Sequence, residues 1–237
     1  MEQLSSVSPG QTTAPVSPVK HVPVHSFRMA RFWIFSGVSS GATLALLFCI
    51  EYVLSGVVIP SLDRALLSSA LIFIGFSCML SGICYFWDFA DHIFFSRKHF
   101  GVFGFLYLFA HSIFFLTFPS LDGGLIPWVF SVLWLFLSLA LLIYIIFVAN
   151  THTAADLGNV RWMAMLHLAY PALLFALAHT VLEASFSWYG WWLDLSRNGN
   201  PVPPVTLLGA IVAVSAFILR GVLALSVARK KVRSVSS

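Results

Sequence analysis

Six stretches of this chain stay apolar for about twenty residues or more, and that feature leaves few folds open. They run from about Phe32 to Val58, Ala65 to Phe86, His99 to Phe118, Leu125 to Val148, Met163 to Phe186 and Val205 to Ala228. About 20 predominantly apolar residues is what a helix needs to cross the hydrocarbon of a bilayer. Inside lipid a segment has to satisfy its own backbone N–H and C=O groups, so spans of this length are helices. The expected fold is an all-α integral membrane protein with six transmembrane helices. Composition agrees: only 9% of the residues are charged, against about 25% in a soluble domain.

The remaining segments are short. Residues 1–27 are rich in Ser, Pro, Val and Thr without apolar periodicity, and are expected to form a disordered tail. A polar stretch precedes the first apolar run, which is not the layout of a secretory leader. The membrane domain is then 28–228, followed by a basic tail at 229–237. Basic residues favour the cytoplasmic side of a membrane protein. With alternating spans, Lys20, Arg28, Arg31, Arg97, Lys98, Arg161 and the Arg229–Arg233 cluster share one side, against Arg64 and Arg197 on the other. Both termini are therefore expected in the cytoplasm. The net charge of +4 gathers at span ends, so no nucleic-acid partner is expected. The stretch from Ser187 to Pro204 reads as the longest outer loop; its Trp188, Tyr189, Trp191 and Trp192 suit either an interfacial anchor or a docking surface.

Cys49, Cys78 and Cys84 lie in apolar runs and are expected to be buried thiols. No CxxC, Walker, GxGxxG, GxSxG or HExxH pattern is present. The chemistry rests on histidine. The third span holds His99 and His111, and the fifth holds His167 and His179. An ionisable group inside a membrane helix is expensive and defaults to a functional role. Paired imidazoles from two helices suggest axial ligands to a haem iron. In each span the histidines are twelve residues apart, about 18 Å along a helix but about 120° out of phase around it. Pro171, four residues after His167, is expected to kink the fifth span and turn one histidine back. Gly104, Ala172 and Ala176, near the faces of His111 and His179, would clear a strip for a porphyrin. Arg220, within the last span, is expected to snorkel to the inner interface or pair with a propionate. Arg97, Lys98 and Arg161 could hold propionates too, although positive-inside anchoring explains them equally. Glu51 and Glu183 are candidate proton acceptors or polar contacts, and His21, His25, His92 and His152 are expected to be solvated.

The run RKHFGVFGFLYLFAH, Arg97 to His111, resembles the third-helix motif of the ferric reductase-like transmembrane family. Within it the likeness is to the haem-binding membrane subunits of bacterial periplasmic methionine sulfoxide reductase systems. Trp162, Leu166–His167, Tyr170 and His179 similarly resemble the stretch that leads into the fifth helix of that family. The resemblance covers about residues 65–185. It implies His111 and His179 as ligands of one haem b, with His167, and His99 as in the four-histidine NADPH oxidases, available to a second. Pro171 and Leu168 depart from the family pattern, and the two histidines of the fifth span are one residue closer than in the family.

By that resemblance the chain is an oxidoreductase subunit of the bacterial inner membrane. It would pass electrons from a cytoplasmic or quinol donor to an outer-face acceptor. The chain as read carries no flavin or nicotinamide domain, so the donor is expected to be a separate flavin reductase or quinol. The acceptor would be a separate protein or metal ion. The rival reading is a non-redox transporter or scaffold whose histidines are structural.

Overall fold

The computed structural model describes residues 26–86, 96–119, 124–149, 164–198 and 202–235. Six long helices carry them: α1 (Ser26–Ser55), α2 (Val58–Phe86), α3 (Arg97–Thr117), α4 (Leu125–Val148), α5 (Ala169–Asn198) and α6 (Val205–Val235). Among the described residues there is no strand. All six helices are long and apolar enough to cross a membrane. The candidates His21, His25, His92, His152, Arg161 and Trp162 lie outside the described residues.

Several boundaries differ from those expected. Helix α2 begins at Val58, not Ala65, because Pro60 sits in its first turn, where a missing N–H costs nothing. That puts Asp63 and Arg64 on a helix. At the chain ends, α1 starts at Ser26, and α6 continues through Val235 into the segment expected as a tail. The outer loop expected from Ser187 is helix as far as Asn198, so Trp188, Tyr189, Trp191 and Trp192 ride on the last turns of α5. Trp188 donates to the Thr206 hydroxyl at 2.9 Å and ties that end of α5 to the start of α6.

Helix α2 is the hub. About 71% of its most apolar stretch is buried within the bundle, against 17–33% on each of the other helices. It packs against α3, α6 and α1, and α4 packs against α5. Two glycines let backbones meet, as small residues do between membrane helices. A Cβ on Gly104 of α3 would stand 2.6 Å from Ile74 Cγ1 and 2.9 Å from the Ile74 nitrogen. One on Gly209 of α6 would stand 3.0 Å from the Ser68 carbonyl oxygen. Leu67, Leu71, Ile74, Leu108, Leu135 and Leu173 fill the interior. Val53, Ile126, Phe147, Ile218 and Leu225 point outward, as a lipid-facing surface requires. Of the thiols, Cys78 is buried, Cys84 half-buried and Cys49 exposed, so burial fails as the expected common role.

The start of α2, the end of α3, the start of α4, a stretch of α5 around Glu183 and the start of α6 border one shared cavity at one end of the bundle. We call this the distal end, away from the chain termini.

Candidate metal centre at His111 and His179

Helical spacing puts Gly104, Leu108, His111 and Phe115 on one inward stripe of α3. Ala172, Ala176 and His179 form the matching stripe of α5, and both imidazoles are wholly buried. The rings meet tip to tip, with His111 Nε2 2.9 Å from His179 Nε2.

Their far nitrogens are anchored. Asp63 Oδ1 of α2 lies 2.7 Å from His111 Nδ1. Ser131 of α4 holds His179 Nδ1 with its backbone oxygen at 3.0 Å and its hydroxyl at 2.8 Å. A carboxylate and a carbonyl oxygen only accept, so both Nδ1 atoms carry a proton, and in the neutral imidazoles both Nε2 atoms present lone pairs. Glu183 Oε2, one turn beyond His179, adds a third acceptor, 3.2 Å from His179 Nε2 and 3.5 Å from His111 Nε2. That oxygen is buried without a hydrogen-bond donor. Three acceptor atoms then converge, and a metal ion or a shared proton between them would satisfy them. Orientation of ligand imidazoles through Nδ1–H to a carboxylate or carbonyl is the usual support of metal-bound histidine.

Phe115 walls the pair, its ring 5.8 Å from that of His111 and 5.0 Å from that of His179. On the distal side Asp63, Arg64, Trp128, Ser131 and Glu183 border a cavity of about 590 Å³. Arg64 is committed to Glu51 at 2.7 Å, which gives that buried carboxylate a polar contact.

A haem tests this arrangement twice. Ligands on opposite sides of one iron, each at about 2 Å, stand about 4 Å apart, and these stand at 2.9 Å. The strip expected to clear a porphyrin is also filled. Gly104 lies against Ile74, and Ser138 of α4 donates to the Ala172 carbonyl at 2.8 Å. The donors suit a metal, but the packing leaves no slot for the macrocycle.

The second pair of histidines does not meet. His99 is turned to α1, where its ring lies 4.2 Å from that of Trp33. His167 is exposed, in the turn before α5, with Arg220 of α6 3.1 Å from its Nε2. The cause is the helical phase, which α3 keeps unbroken from one histidine to the other. Pro171 does not correct it in α5, because it falls in the first turn of a helix that starts after His167. Arg220 is held by His167 and over the Tyr170 ring at 5.5 Å, and Lys98 donates to the Ala149 carbonyl at 3.0 Å.

Asp63 and Ser131 escaped the sequence reading. Pro60 was the available signal for Asp63, since a proline marking a helix start brings residue 63 inside the first turns. Nothing in the sequence singles out Ser131 from the other serines.

The described residues thus form six helices of membrane-spanning length around a cluster of two histidines and one carboxylate. Neither a protein-family model nor a curated protein matches the chain.

Proposed function

We propose that the chain is an integral membrane electron-transfer protein whose working part is a metal centre at His111 and His179. The observation that carries this reading is the convergence of two anchored imidazoles and Glu183 with no donor among them. Basic residues favour the cytoplasmic side, so the chain termini are assigned inside and the distal end outside. Electrons then arrive from a separate flavin reductase or membrane quinol and leave to an acceptor protein or metal ion at the distal face. The resemblance of the Arg97–His111 run is what supports haem b as the occupant. For that occupant the two Nε2 atoms have to part by about 1 Å and α2, α3 and α4 have to repack.

A second reading is favoured by one distance. At 2.9 Å the two Nε2 atoms are also at hydrogen-bond length, so a shared proton would satisfy them in a non-redox transporter or scaffold. The test is purification of the full chain from cells replete in haem and metals, with absorption spectra before and after dithionite and metal analysis. A haem or metal ion present in the wild type and absent from His111→Ala and His179→Ala supports the metal centre. A colourless, metal-free protein leaves the proton-sharing pair.

A further inference from the structure

We infer that the centre takes a single divalent transition-metal ion, with Glu183 as third ligand and an open position facing the distal cavity. This rests on the reading that His111 and His179 hold a metal, and it names a different occupant from a haem.

The three donor atoms are separated by 2.9, 3.2 and 3.5 Å. Nitrogen and oxygen ligands sit about 2.0–2.2 Å from such an ion. Neighbouring ligands at that radius are about 3.0 Å apart in an octahedron and about 3.4 Å apart in a tetrahedron. The observed triangle matches one face of either solid, and it is too small for a trans pair. Its origin is local. Glu183 follows His179 by four residues, so one helix face supplies two ligands, and α3 supplies the third.

Charge points the same way. Asp63 and Glu183 bring two carboxylates to a mostly buried cluster, and Arg64 is already paired with Glu51. A doubly charged ion balances them. Two histidines with one carboxylate is a donor set used by catalytic zinc and by non-haem iron(II), both of which keep positions open to exogenous ligands. Here Glu183 and Ser131 border the cavity of about 590 Å³, which gives water or a small ligand access to the remaining positions.

The test uses cobalt(II) as the probe on the full chain in detergent, after chelator treatment. Wild type should bind one cobalt per chain, develop visible ligand-field bands, and show a rise in thermal midpoint that EDTA reverses. Glu183→Gln should weaken cobalt binding by about 100-fold or more, since even outer partners of a ligand are worth 10–100-fold. His167→Ala, away from the cluster beside Arg220, should bind as wild type does. Equal cobalt affinity in wild type and Glu183→Gln overturns the role of Glu183. Stoichiometric haem in wild type, unchanged in Glu183→Gln, overturns the ion and leaves the two-histidine centre standing. Absence of both cobalt and haem binding in folded wild type overturns both readings.

Discussion

The two histidines of α3 meet different fates, and so do those that lead into and lie on α5. Near the distal end His111 and His179 are wholly buried, tip to tip, and each is fixed from behind by a neighbouring helix. Toward the other end His99 packs on Trp33, and His167 is exposed beside Arg220. The sequence plan is the same in both places: a histidine on each segment, twelve residues before the next. On α3 a difference of about 120° in helical phase separates the two, and His167 lies in a turn ahead of the helix that carries His179. Depth in the membrane is therefore a poor guide to partnership; what matters is which stripe of the helix a side chain shares with the core.

The sharpest way to break this contrast is at the distal pair. His111→Ala or His179→Ala removes one of three converging donors and leaves a cavity in the core. Metal or haem content should fall to background, with affinity reduced by about 100-fold or more. Metal analysis of protein that still elutes as a single species checks this. Full retention of the occupant in both variants removes the centre.

How much of this was legible follows from the kind of signal each feature leaves. Six helices could be read because about twenty apolar residues in a row have a single backbone solution in lipid. The pairing of His111 with His179 was readable too, because each lies on a stripe with small residues. The purpose of those small residues was not. Gly104 and Ala172 clear space for helix contacts with α2 and α4 instead of a porphyrin, and composition cannot distinguish the two. Asp63 was hidden by a helix start set from hydropathy alone, which placed a charged residue in a loop. Ser131 lies 48 residues from His179, and such a contact leaves no trace in local pattern.

A smaller effect should follow at the residues behind the rings. Asp63→Asn weakens the acceptor that fixes the proton on His111 Nδ1, and metal affinity should drop by about 10–100-fold. Ser131→Ala should cost less than Asp63→Asn, because the backbone oxygen still holds His179 at 3.0 Å. Cobalt titration of the two variants gives the order. If Ser131→Ala is the more damaging, the hydroxyl rather than the carbonyl sets the tautomer.

Gly104→Ala separates helix packing from a porphyrin slot. The added Cβ would meet Ile74 Cγ1 at 2.6 Å and the Ile74 backbone nitrogen at 2.9 Å. Overpacking of this kind costs about 1–3 kcal/mol, and the thermal midpoint in detergent should fall accordingly. An unchanged midpoint means that α2 and α3 stand further apart, as a haem between the helices would require.

The smallest effect belongs to the histidines that do not meet. His99 has a buried Nδ1 with no hydrogen-bond partner, so replacing it removes a polar atom that gains nothing from its surroundings. His99→Phe keeps an aromatic ring against Trp33 and should leave stability near the wild-type value, since removal of an unsatisfied polar group is close to neutral. His167→Ala loses an exposed contact with Arg220 and a tilted ring contact with Tyr170. Neither change touches the distal donors, so metal and haem content should equal wild type in both. The decisive measurement is occupant per chain in His99→Phe, His167→Ala and the double variant, with the distal pair intact. A drop by half in any of them would mean that the two histidines cooperate in a second centre, and that the helices move far enough to cancel the phase difference between them.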